Sequence, residues 1–201
     1  MGKIKSALEL ALERTESIKG DRSSIDQYEA KQRGKKLANA FLENPKDGLE
    51  GELKKCPREE RDALEQGVFD LLITQVNLPA VKDDRSRIEA AGRGLQAVIR
   101  DGRFTTLYRQ FLQAISQYLD EMAQYDELLR RQYAPKLRQK EEELSRRLGR
   151  EVQIDPLQDP DFVKPYTQTM NTLKENYQDL VNQVREQATL LFEKKNSHSG
   201  S

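Results

Sequence analysis

An all-α fold follows from three features of this chain. Apolar residues recur three and four apart along nearly its whole length, the spacing that gathers them on one face of an α-helix. Charge is plentiful and balanced, with 34 Lys and Arg against 34 Asp and Glu in 201 residues, and apolar residues make up only 36%. That mixture suits long, thin helices, in which each turn needs only a stripe of apolar side chains. Balanced charge with clear periodicity also argues against a disordered chain. Finally, most prolines and several glycines punctuate the periodic segments, where helices start and stop.

The elements can be justified in order. Ile4, Leu8, Ala11, Thr15 and Ile18 predict a first amphipathic helix that Gly20-Asp21 ends. Ser24, with Gln27 three residues on, matches a capping box and predicts a second helix. Its apolar face would be Ile25, Tyr28, Leu37, Phe41 and Leu42, and Asn44-Pro45 closes it. A short turn of helix is expected between Lys46 and Pro57. Pro57, followed by Glu59 and Glu60, starts a third helix carrying Leu64, Val68, Leu71, Leu72 and Val76 and stopping near Pro79. A fourth runs from about Asp83 to Asp101, with Ile88, Ala91, Leu95, Val98 and Ile99 inward and Gly102 as its punctuation. Within it, Gly92 and Gly94 permit close packing; they lack the following Lys-Ser/Thr and the preceding strand of a phosphate loop.

The second half reads as an antiparallel helical hairpin. Phe104, Tyr108, Phe111, Ile115, Tyr118, Met122, Tyr125 and Leu129 alternate four and three apart, a heptad seam of coiled-coil type. The seam slips by Tyr133 and Leu137, where Pro135 removes a backbone donor and predicts a bend or break. The helix resumes to Gly149, a natural C-terminal cap. A second seam runs through Val163, Tyr166, Met170, Leu173, Tyr177, Leu180, Val184, Ala188 and Leu191. Two seams joined by a short connector fold back on each other. In the connector, Asp155-Pro156 is a turn, and Asp159-Pro160 with Asp161 is an ordinary helix start. The expected organisation is residues 1–102 as N-terminal helices packing on the hairpin base, residues 103–195 as the hairpin with its connector at 149–160, and residues 196–201 as a disordered tail.

Little in the chain points to catalysis. His198, the single histidine, lies in the terminal "NSHSGS", and Cys56 is the single cysteine. A zinc site of the usual kind therefore lacks its ligands, and a di-iron bundle lacks its Glu-x-x-His pairs. No cofactor and no enzymatic activity are expected. One cysteine forms no internal disulfide, so the cytoplasm is the expected compartment. No membrane span is expected, because no run of about 18 apolar residues exists. Glu9 and Glu13 interrupt the apolar core that a signal peptide needs. Gly2 and Ser6 match the spacing of a myristoylation pattern, which is short and common. The tyrosines Tyr108, Tyr118, Tyr125, Tyr133, Tyr166 and Tyr177 are read as core, with hydroxyls reaching its edge.

One charge feature is uneven. Residues 130–150 hold Arg130, Arg131, Lys136, Arg138, Lys140, Arg146, Arg147 and Arg150 against Glu141, Glu142 and Glu143. Arg130, Arg131, Arg138, Arg146, Arg147 and Arg150 are the candidate contacts for a partner, whether an acidic protein surface or nucleic acid.

"KIKSALELALERT" at Lys3–Thr15 with "GDRSSI" at Gly20–Ile25 resembles the opening of a family of small uncharacterised bacterial helical proteins. The "EEL" helix end, the "DP" turn and the return helix with "NYQDL" are similar too. The resemblance implies a helical fold and carries no known activity. The expectation is a non-enzymatic binding, scaffold or assembly protein, co-chaperone-like, working through helix faces on an unknown protein partner, with a second copy of the chain also admissible. The alternative is a nucleic-acid- or ribosome-associated factor using residues 130–150.

Overall fold

The computed structural model describes residues 7–46 and 48–199, with side chains described from 24 to 197 apart from Asp47. The described residues form helices and turns, with no strand among them. In chain order the helices are α1 (Ala7–Glu43), α2 (Leu49–Lys55), α3 (Arg58–Leu72), α4 (Asp84–Ile99), α5 (Gly102–Leu148) and α6 (Pro160–Ser199). Short 3-10 turns at Ile73–Gln75 and Pro156–Gln158 follow α3 and precede α6. Two compact units result. One comprises the described residues up to Val76, Ser86–Thr105 and those from Gln187 onward; the other comprises Asn77–Arg85 and Thr106–Glu186. The sequence draws its boundary between 102 and 103, whereas the units interleave along the chain, with α4, α5 and α6 each contributing to both.

Four expectations need correction. The first two predicted helices are one, α1, which runs through Gly20-Asp21 and Ser24. A mid-helix glycine costs only about 1 kcal/mol, too little to end a helix held further along by packing. The apolar pattern of α1 is also misread, because Ile25 and Tyr28 are exposed while Ala30, Ala38, Phe41 and Leu42 are buried. Of the bend or break expected at Pro135, the break is corrected, because α5 continues as helix on both sides of it. The hydrogen bond that proline forfeits is offset nearby by contacts of Tyr133, Lys136 and Lys140 with the start of α6. The tail expected from residue 196 is helical through Ser199 as the end of α6. Residues 1–6, with the Gly2–Ser6 pattern and Ile4, lie outside the described residues.

In the first unit, α1 and α3 approach until their backbones touch. A Cβ on Gly34 would sit 3.0 Å from the Leu64 carbonyl carbon and the Val68 amide nitrogen, and closer still to the Leu64 carbonyl oxygen. On the facing helix, a Cβ on Gly67 would lie 3.1 Å from Lys31 Cα. Gly94 lets α4 join them, since a Cβ there would reach 3.1 Å from the Phe41 ring and press on Leu72. Leu64, Val68 and Leu72 recur every four residues and are buried, as are Ile88, Ala91, Leu95, Val98 and Ile99 of α4. Phe192 of α6 stacks on Phe69 with ring centroids 4.3 Å apart. The short α2 buries Leu49 and Leu53 and carries Glu50 and Glu52 in its first turn and Lys54 and Lys55 in its last, as its dipole favours.

In the second unit, α5 and α6 run antiparallel. Going up α5 through Tyr118, Tyr133 and Lys140, the partners descend α6 through Tyr177, Phe162 and Asp159. Tyr118 packs edge-on against Tyr177 at 5.3 Å, and the Tyr177 hydroxyl donates to Glu121 at 3.0 Å. Burial first, and that bond second, push the Tyr177 hydroxyl up to about 12. Of the aromatic stripe read as core, Tyr108 and Tyr118 are buried, Tyr133, Tyr166 and Tyr177 are half-buried, and Tyr125 is exposed.

Candidate functional site

The hairpin tip is built from its caps outward. Gly149 leaves α5 at φ +64°, the left-handed conformation that glycine adopts without Cβ strain. The extended stretch that follows is tied to the helix it leaves. Val152 N donates to Ser145 Oγ at 3.0 Å, and Ile154 N donates to Glu141 Oε1 at 2.9 Å. Asp155 caps the 3-10 turn through Leu157 N at 2.9 Å.

Asp159 then caps α6, with Pro160 as the first helical residue and its own backbone carbonyl receiving Val163 N at 2.9 Å. Its carboxylate is buried and receives Lys140 Nζ at 2.7 Å and the Tyr133 hydroxyl at 2.6 Å. Lys140 first and Tyr133 second hold Asp159 down to about 2, and Lys140 is held above the ordinary lysine value by the same pairing. Lys136 and Lys140 also meet Asp161, at 3.2 and 2.9 Å. Below this cluster Phe162 is buried between Tyr133 and Tyr166, with centroids 5.2 Å away on each side.

This cluster changes the reading of the basic segment. Arg130 Nε donates to both carboxylate oxygens of Asp126 at 3.0 Å, and the guanidinium lies 6.0 Å from the Phe162 ring. Arg146 pairs with Glu142 at 3.6 Å and Arg147 with Glu143 at 2.5 Å. Arg131, Arg138 and Arg150 are exposed and make no ion pair among the described residues. The five-charge excess counted along residues 130–150 ignores Glu151, Asp155, Asp159 and Asp161, which the connector and α6 bring to the same end of the unit. With these four acids included, the excess over residues 130–161 falls to one.

Apolar surface is the tip's other property. Tyr133, Leu137 and Leu144 share one face of α5 by helical spacing, with Leu148 one turn further. Lys140 lies level with the first residues of α6, so α5 overshoots its partner by about two turns. Only the connector is left to cover that stretch, and Leu148 stays 56% exposed and Leu144 37% exposed, with Leu157 of the connector at 47%.

The first unit holds a charged site that the sequence reading missed. Glu65 of α3 is 1% exposed, and its carboxylate receives Arg100 Nη2 at 2.5 Å and Lys195 Nζ of α6. Lys195 also donates to the Val98 carbonyl at 2.9 Å. Arg100, and not Gly102, is the residue that turns the chain after α4. It adopts φ +57°, a conformation that costs a non-glycine residue of order 1–3 kcal/mol, and its Nε donates to the Ala97 carbonyl at 3.1 Å. A sequence signal existed, because Glu65 interrupts the buried stripe of Leu64, Val68 and Leu72. Its partners lie 35 and 130 residues away, beyond any local pattern. Among the described residues, no group of three His, Cys, Asp or Glu side chains is arranged to hold a metal ion. Burial pushes the Cys56 thiol up, away from the thiolate that a nucleophile needs.

Fold and sites together define an all-α protein of two helical units, one centred on a buried acid and the other a hairpin with a partly apolar tip. The chain belongs to a family of unknown function (DUF6657), whose pattern matches residues 50–189, from α2 into the last third of α6. No curated protein and no solved structure matches it. The matched span contains the whole hairpin tip, Glu65 and Arg100; Lys195 lies beyond it. No helix among the described residues is long and apolar enough to cross a membrane.

Proposed function

We propose that this protein is a non-enzymatic binding or scaffold protein of co-chaperone type, which docks a protein partner on the tip of the α5–α6 hairpin. The observation that carries the reading is the overshoot of α5, which leaves Leu144 and Leu148 exposed where the internal seam has lost its helical partner. Exposed apolar residues grouped on one face mark interaction sites more often than scattered ones do. The acids brought in by the connector nearly balance the arginines, so the matching surface is an apolar ridge flanked by charges of both signs. A cytoplasmic setting fits the single cysteine, which has no second cysteine in the chain to pair with. The nucleic-acid alternative would rest on Arg131, Arg138 and Arg150 alone, a weak source of counterion release.

A photo-crosslinker placed at Leu148 in native cells tests the proposal, with one at the exposed Gln183 of α6 as control. A discrete protein adduct from position 148 and none from position 183 is expected. Adducts to RNA, or the same adducts from both positions, would defeat it.

A further inference from the structure

We infer that the cleft between α2, α3 and α4 in the first unit binds the phosphate group of a small phosphomonoester. The cleft encloses about 510 Å³, within the usual range of small-metabolite sites. Its wall carries Lys54, Arg61 and Arg100 against one acid, Glu50. Even after Glu65 is counted against Arg100 from behind, positive charge remains in excess. Two guanidiniums with an ammonium are a donor set suited to phosphate oxygens.

Both arginines are fixed before any ligand arrives. Arg61 Nη2 is held by the carbonyls of Lys54 and Cys56, each at 3.3 Å. Arg100 is held by Glu65 and by the Ala97 carbonyl on a backbone that glycine would adopt without strain. Retaining arginine there keeps its guanidinium on the cleft wall. Leu53 and Ala97 add an apolar patch, and Glu50 adds an acceptor for hydroxyls. Inorganic phosphate alone would fill little of this volume, so the fitting ligand is a hydroxylated small molecule bearing one phosphate.

Calorimetric titration of the full chain at constant ionic strength tests this, using ribose 5-phosphate, inorganic phosphate and ribose as probes. Saturable one-to-one binding is expected for ribose 5-phosphate, weaker binding for inorganic phosphate and none for ribose. Lys54→Met changes an exposed side chain, and Arg100→Gly keeps the left-handed turn; each is expected to weaken ribose 5-phosphate by about tenfold. Absence of saturable binding at millimolar ribose 5-phosphate, or unchanged affinity in both variants, overturns the inference.

Discussion

Replacing Gly34 by alanine puts the packing of the first unit to a direct test. The new Cβ would meet backbone on α3, with the Leu64 carbonyl carbon and Val68 nitrogen at 3.0 Å and the Leu64 oxygen nearer. Carbon pairs prefer about 3.5–4.0 Å, and the nearer Leu64 oxygen sets the limit, so the helices must part by roughly 1 Å or more. No side chain can rotate away to relieve the contact. Parting them also loosens Ala30, Ala38 and Val68, all fully buried. Overpacking of this kind costs about 1–3 kcal/mol and sometimes more. The alanine recovers about 1 kcal/mol of helix propensity. Because the obstacle is backbone, the cost sits at the top of that range, so the net loss should fall near about 2 kcal/mol, lowering the melting temperature by about 4–8 °C for a chain of this size. Gly51 is the control, since a Cβ there meets nothing within 4 Å, and Gly51→Ala should be neutral or slightly stabilising. Urea unfolding followed by circular dichroism reads both. If Gly34→Ala proves as stable as Gly51→Ala, the close crossing of α1 and α3 is wrong.

Glu65→Ala should destabilise by about 3 kcal/mol, because it strips the carboxylate from the mostly buried Lys195. Lys195→Met should cost less, since Arg100 still pairs Glu65 but is half-exposed; a double-mutant cycle with no coupling between positions 65 and 195 would contradict this. The tip should loosen in acid. Asp159 is held at about 2, below its unfolded value, so its contribution is fully present above about pH 4 and is lost as pH falls toward 2. Amide exchange at Phe162 and Val163 should rise over that window in the wild type, and an Asp159→Asn variant should lack the transition; identical profiles for the two would refute the role given to this carboxylate.

Much of the hairpin was legible because its determinants are local. Gly149 as the exit from α5, Asp159-Pro160 as the entry to α6 and the aromatic seams all depend on residues within a turn or two of each other. The same locality misled at Gly20 and Pro135, where a breaker's modest cost had to be weighed against contacts made elsewhere. The sites were less legible. Lys140 and Asp159 are 19 residues apart, and Glu65 and Lys195 are 130 apart, so neither pair leaves a periodic trace. Charge counted along residues 130–150 overstated the basic character of the tip, because the neutralising acids arrive only when the chain turns back. Gly34 faces Leu64 and Gly67 faces Lys31, 30 and 36 residues away, so the close crossing leaves no local trace either.

The overshooting end of α5 is the docking surface proposed for this protein. The direct measurement is the affinity of the protein crosslinked at position 148 for the wild type and for Leu148→Ser. A leucine buried at an interface contributes about 1.5–3 kcal/mol, so binding should weaken at least tenfold. The melting temperature should stay unchanged, because Leu148 is 56% exposed in the protein alone. Equal affinity for the two proteins, with the fold intact, would contradict the claim that this tip is where the protein does its work.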